Sequence, residues 1–144
     1  MKRVIDACTA FKWAMVEIDS GKALRIRDDL RQGTCTLLAP DLFPAELASA
    51  LLTAQRKGRI SHFAPLLYGI LSEGVELHDT APLLPAVVRI VASITSGMRF
   101  SLYDCLYVAL AEREDCELVT AGDRLVRVFQ TQYPFVTALS SMPD

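Results

Sequence analysis

The 144-residue chain has little of what marks the more specialised protein classes. It holds two histidines, His62 and His78, and four cysteines, at positions 8, 35, 105 and 116, with no C-x-x-C pair. A structural zinc site needs four such ligands at close spacing, so none is expected. Reduced, mostly buried thiols in a cytoplasm account for the cysteines instead. No stretch approaches the roughly 18 apolar residues of a membrane helix, and the most apolar segment, Ala81–Ile94, carries Arg89. The N-terminus, MKRVIDACTAFKWAM, lacks the core of a signal peptide because Asp6 and Lys12 interrupt it. The net charge is only -2, which excludes non-specific nucleic-acid binding driven by overall charge. Any polyanionic partner must then be held by a local basic patch or by metal. With seven Gly, seven Pro and 51% apolar residues, collagen-like, low-complexity and disordered classes are excluded. No repeat, linker or charge block divides the chain, so residues 1–144 are read as one domain with its own core.

What is present alternates short β-like runs with longer helical ones. Strands are expected at Arg3–Ile5, Thr36–Leu38, Val75–His78 and Glu117–Thr120, with a fifth at Phe135–Ala138 on an edge. Helices are expected over Phe11–Val16, Ala23–Arg31, Phe43–Arg56, His62–Leu71, Pro82–Thr95, Ser101–Glu114 and Asp123–Gln130. Pro44 suits a first helical turn, where its missing N–H costs nothing, and Phe43, Leu47, Ala50, Leu51 and Ala54 recur on one face. Leu102, Leu106, Ala109 and Leu110 mark one side of the later helix. Strands separated by helices predict an α/β domain with a mainly parallel sheet of four to five strands. Such sheets bind ligands beyond the carboxyl ends of their strands.

Those positions are acidic. Asp6 follows the first strand, and Asp123 follows the fourth after Thr120, Ala121 and Gly122. Glu46 lies in the first turn of its helix, and Asp104 stands three residues after Ser101. Each has a plain structural role open to it. Asp104 completes a capping-box variant with Ser101, Asp6 and Asp123 are placed to cap helices, and Glu46 complements a helix dipole. Together they point the same way. Two carboxylates about 5 Å apart repel by roughly 3 kcal/mol at an effective dielectric near 20. A fold tolerates this through protonation, basic partners or a cation. Oxygen-only ligands suit Mg²⁺ or Mn²⁺, and a metal so held supports phosphodiester hydrolysis.

Four blocks, in order and spread over nearly the whole chain, resemble the signature of the PIN-domain ribonucleases, and most closely the VapC-type toxins of toxin–antitoxin pairs. VIDACTAFKW (Val4–Trp13) is similar to the opening strand with the first metal-binding Asp, at Asp6. APDLFPAELASALL (Ala39–Leu52) resembles the second block, with its Glu at Glu46. SLYDCLYVALAE (Ser101–Glu112) resembles the third, with its Asp at Asp104, and LVTAGDRL (Leu118–Leu125) the fourth. The last block departs from the family pattern, which places Asp directly after Thr-Ala. Here Gly122 stands there and the acid comes one residue later. Either the turn is re-registered so that Asp123 reaches the metal, or the fourth ligand is weakened. Cys8 stands where the family often has Ser or Thr; a thiol is a poor ligand for a hard cation, so packing is its expected role. Thr120 resembles the family's site hydroxyl.

The resemblance implies a PIN-like three-layer α/β/α fold and an Mg²⁺- or Mn²⁺-dependent endoribonuclease, with Asp6, Glu46, Asp104 and Asp123 as the candidate catalytic and metal-binding residues. It implies a small cognate antitoxin lying across the acidic groove, and a homodimer, in the cytoplasm and off the membrane. The helices Phe43–Ala54 and His62–Leu71 are candidate antitoxin-facing walls. RNA recognition would rest on shape and unpaired bases. Arg99 and Arg124 are candidate phosphate contacts, ahead of the Arg56, Lys57, Arg59 cluster; Trp13, Tyr103 and Tyr107 are candidate stacking residues. Two alternatives stay open. One is a PIN-like RNA- or protein-binding module weakened by Gly122. The other is a haloacid-dehalogenase-type phosphohydrolase, whose motifs Asp6–Thr9 and Gly122-Asp123 resemble, with Cys8 and Arg127 where acids are required.

Overall fold

The computed structural model describes residues 1–144. Five strands, β1 (Lys2–Ile5), β2 (Thr36–Pro40), β3 (Glu76–His78), β4 (Glu117–Thr120) and β5 (Val136–Ala138), form one sheet in the order β3-β2-β1-β4-β5. Every pairing is parallel. The helices are α1 (Ala7–Phe11), α2 (Ser20–Arg31), α3 (Phe43–Arg56), α4 (Phe63–Leu71), α5 (Leu84–Ser93), α6 (Leu102–Arg113) and α7 (Asp123–Phe129). The chain steps outward from β1 to β2 to β3, then crosses back to β4 and β5. Right-handed crossovers therefore put α1–α4 on one face and α5–α7 on the other. This is the three-layer α/β arrangement expected, with five strands, and β5 is an edge as read.

A parallel sheet covered on both faces needs strands apolar on both sides. Val4, Ile5, Leu37, Leu38, Ala39, Leu118, Val119 and Val136 are accordingly buried. Helix α6 departs from the one-sided pattern expected of it. Cys105 through Ala111 are all buried, while Leu102 is exposed. It is held between α5 and strands β1, β2 and β4, and a helix so enclosed is apolar all round. Helix α3 packs on α1 and α4 through Phe43, Leu47, Leu51 and Ala54, as its periodicity predicts.

Three boundaries move for local reasons. The helix expected over Phe11–Val16 lies instead at Ala7–Phe11. Asp6 is extended, and its carboxylate accepts the Thr9 N–H, so the helix is capped directly at the strand end. Residues 12–19 then form a loop tied down by Lys12 Nζ to the Ile18 carbonyl (2.6 Å), Trp13 Nε1 to the Ala23 carbonyl (2.8 Å) and Ser20 Oγ to the Met15 carbonyl (2.7 Å). Strand β2 runs on through Pro40. Its register with β1 ends at Leu38, so the proline lies past that ladder, where a strand tolerates it. The helix expected over Pro82–Thr95 divides into a 3₁₀ turn at Ala81–Leu83 and α5, because Pro85 is accommodated only in a first turn. No helix is long and apolar enough to cross a membrane.

Candidate active site

The sheet order reverses at β1, whose neighbours β2 and β4 lie on opposite sides, and such a switch point opens a crevice beyond the strand ends. Asp6 enters it directly after β1. It is only 5% exposed, and its carboxylate is fully gripped. Oδ1 accepts the Thr9 N–H (3.0 Å) and the Thr9 hydroxyl (2.8 Å), and Oδ2 accepts the Thr120 hydroxyl from the end of β4. The two threonines are themselves fixed, Thr9 Oγ1 by the Ala121 N–H (3.2 Å) and Thr120 Oγ1 by the Gly122 N–H (2.9 Å). Burial nevertheless dominates and raises the Asp6 pKa, with the Asp104 charge adding to it against the lowering by these hydrogen bonds.

Glu46 arrives from the first turn of α3. The buried Tyr107 hydroxyl on α6 donates to its Oε1 at 2.6 Å. Burial raises the Glu46 pKa, and the Asp6 and Asp104 charges raise it further, against the hydrogen bond from Tyr107. Burial and Glu46 push the Tyr107 phenol far above its ordinary value, so it stays a donor. Asp104 arrives from the first turn of α6 in a complete capping box. Ser101 Oγ accepts the Asp104 N–H (3.1 Å), and Asp104 Oδ2 accepts the Ser101 N–H (3.2 Å). The same Oδ2 meets the Arg124 guanidinium at 3.0 Å. Asp6 and Asp104 thus do cap helices, as their plain readings had it, and they act electrostatically on one another and on Glu46 as well.

The other sequence candidates separate. Asp123 is exposed at the start of α7 and makes no capping contact; it lines an adjoining cavity with Lys12, Asp19 and Ser140. A Cβ built on Gly122 would stand 3.3 Å from Thr120 Oγ1 and 4.0 Å from Asp6 Oδ2, so position 122 faces the acids. Arg99 is exposed without an ion pair, and Arg124 is bound to Asp104. Cys8 corrects its expected packing role: it is exposed beside the acids. The Asp6 charge, then burial, then Glu46 and Asp104 push its thiol up to about 12, which keeps it protonated and neutral. Tyr107 is buried against Glu46 and is unavailable for base stacking, whereas Tyr103 is exposed. Trp13 is half-buried, and Arg59 is paired with Glu17. Sequence reasoning missed Thr9 and Tyr107 as holders of the acids. The one local signal was Thr9, three residues after Asp6 at capping spacing.

No group of three or more His, Cys, Asp or Glu side chains stands arranged to hold a metal ion in the structure. The donor chemistry nonetheless fits a hard divalent ion. Glu46 Oε2 and Asp104 Oδ1 accept no hydrogen bond from the chain, and Asp6 Oδ2 accepts one. Asp6 and Glu46, whose proton affinity burial and the neighbouring carboxylate charges raise, lack positive charge beside them, and Arg124 is held by Asp104.

No family model matches the chain, and no curated protein matches it. Solved structures do. PAE2754 from Pyrobaculum aerophilum is 22% identical with a TM-score of 0.66, covering 98% of this chain and 94% of that one. VapC20 from Mycobacterium tuberculosis, a sarcin–ricin loop cleaving toxin, is 13% identical with a TM-score of 0.62, covering 94% and 98%. VapBC2 from Rickettsia felis, bound to a DNA fragment from their promoter, is 15% identical with a TM-score of 0.62, covering 96% and 97%. The chain has the PIN-like fold that the sequence led us to expect.

Proposed function

We propose that the chain is a VapC-type toxin, an endoribonuclease that needs Mg²⁺ or Mn²⁺ and is neutralised by a small antitoxin. The observation that carries the reading is the convergence of Asp6, Glu46 and Asp104 from three elements distant in sequence on the crevice at the switch point. The likeness in fold to VapC20, a toxin that cleaves an RNA loop, supports RNA as the substrate class.

Asp6, Glu46 and Asp104 would hold the ion. Mg²⁺ or Mn²⁺, when bound, polarises a phosphate and lowers the pKa of water. The chain's own residues prepare the site for it. Thr9 and Thr120 fix the rotamer of Asp6, Tyr107 aims Glu46, and the capping box aims Asp104. Arg124 is half exposed and presents a planar fork of donors suited to a phosphate oxygen. Arg99 adds a second cation on the loop before α6, and Tyr103 offers an exposed ring for stacking. Asp123, one residue past the expected place, is the fourth candidate ligand. The active assembly would be a cytoplasmic homodimer, with α3 and α4 facing the antitoxin.

Cleavage of a stem-loop RNA by the purified protein tests this. Cutting is expected with Mg²⁺ or Mn²⁺ and not in EDTA. Asp6→Asn and Asp104→Asn are each expected to lower the rate at least about 100-fold while far-UV circular dichroism is unchanged. Metal-independent cutting, or Asp6→Asn cutting as fast as wild type, contradicts the reading. RNA binding without any cutting supports the weakened binding module instead. Asp123→Asn beside Asp104→Asn decides the fourth ligand: an equal loss makes Asp123 a ligand, and no loss removes it from the site.

A further inference from the structure

Next to the carboxylates lies a cavity of ≈ 350 Å³, within the range of about 300–1,000 Å³ typical of small-ligand clefts. Its apolar lining comes from Ala7, Phe11, Ala50 and Ala121, and its polar lining includes Lys12 and Glu17. Glu46 and Cys8 line it as well as facing the acids, so a group seated there is an immediate neighbour of whatever the carboxylates hold.

The cations around the cavity are already engaged in ion pairs. Lys12 Nζ meets Glu17 Oε1 at 3.0 Å, and Arg59 meets Glu17 Oε2 at 3.0 Å. The Arg59 guanidinium also lies over the Phe11 ring, 5.7 Å from its centroid. These contacts join the loop after α1 to the end of α3 and brace the wall. Glu46 is the one carboxylate of the lining without a cation of its own, and Lys12 and Arg59 are both engaged by Glu17, so no free cation is left to receive a phosphate. A flat, neutral group is favoured. Alanine at 7 and at 50 leaves the room that a larger side chain would fill.

We propose that this cavity is a base subsite: it takes the unpaired nucleobase of one nucleotide flanking the scissile phosphodiester, and so selects which RNA is cut. The subsite rests on the nuclease reading above. A substrate series with a single abasic ribonucleotide at each position flanking the mapped cut tests it. One position is expected to raise KM about 10- to 100-fold with little change in kcat, the loss typical of one stacked base. Ala50→Phe should lower cleavage of the intact substrate to the abasic level, and the two changes together should cost no more than either alone. Ala50→Leu should give an intermediate loss, and circular dichroism checks the fold. If Ala50→Phe fails to fold, the wild-type scan and Ala50→Leu still decide. Tolerance of an abasic nucleotide at every flanking position overturns the subsite while leaving the nuclease reading intact. So does a loss in Ala50→Phe that multiplies with the abasic loss. A wild-type protein that cuts no RNA overturns both.

Discussion

Thr9 is the hinge of the site at the scale of single residues. Its hydroxyl donates to Asp6 and accepts from Ala121, so Thr9→Val leaves a buried carboxylate oxygen and a backbone N–H short of a partner. A cost of about 1–3 kcal/mol is expected, readable by urea denaturation, with Thr9→Ser recovering most of it. Glu46 behaves in the opposite sense. Its pKa is raised in the folded chain by burial and by Asp6 and Asp104, so the folded chain binds its proton more tightly than the unfolded chain does. The contribution of Glu46 to stability without metal is therefore fully present below about pH 4 and is lost as pH rises through its raised folded value. Glu46→Gln keeps an acceptor for Tyr107 and removes the charge. In EDTA at pH 7 it should raise Tm by about 2 °C at most, because solvent screens the half-exposed carboxylate, and near pH 3 the gain should vanish. A Tm at pH 7 equal to or below that of wild type would show that the carboxylate is not under electrostatic stress. Asp6, Glu46 and Asp104 were legible in the sequence because each stands at a strand end or a helix start. The Tyr107 hydroxyl on Glu46 was not, since 61 residues separate the pair and no local pattern records it.

Elements place the acids, and α6 is the most constrained of them. Its N-terminus carries Asp104 within the capping box, and its middle is buried on all sides. Ser101→Ala removes the acceptor for the Asp104 N–H and should cost about 1 kcal/mol. The Ser101 N–H that Asp104 Oδ2 accepts survives this substitution, so the Mn²⁺ needed for half-maximal activity should stay near that of wild type. A several-fold rise in that requirement would show that the Ser101 hydroxyl, and not its N–H with Arg124, holds Asp104 in place. Most elements were readable from pattern, and α3 and β4 fall on the expected residues. The failures have separate causes. Periodicity cannot anticipate that α6 is enclosed by a second helix layer. The α1 boundary depended on Asp6 capping at the strand end, and Pro85 divides an apolar run that reads as continuous.

At the scale of the molecule, an all-parallel sheet with its order reversing at β1 leaves one crevice, and the chain concentrates its buried negative charge there. Such a site is stabilised by any ligand that binds the folded form alone. Mg²⁺ at 100 times its dissociation constant should add about 2.7 kcal/mol; the matching rise in Tm should disappear in Asp6→Asn. The function proposed here requires Asp6, Glu46 and Asp104 to share one divalent ion. Titration of Mn²⁺ into the protein, followed by electron paramagnetic resonance, tests it most directly. Saturable binding should be seen in wild type and be weakened at least about 10-fold in each of Asp6→Asn, Glu46→Gln and Asp104→Asn. Binding that is absent in wild type, or that survives unchanged in all three variants, would contradict the account.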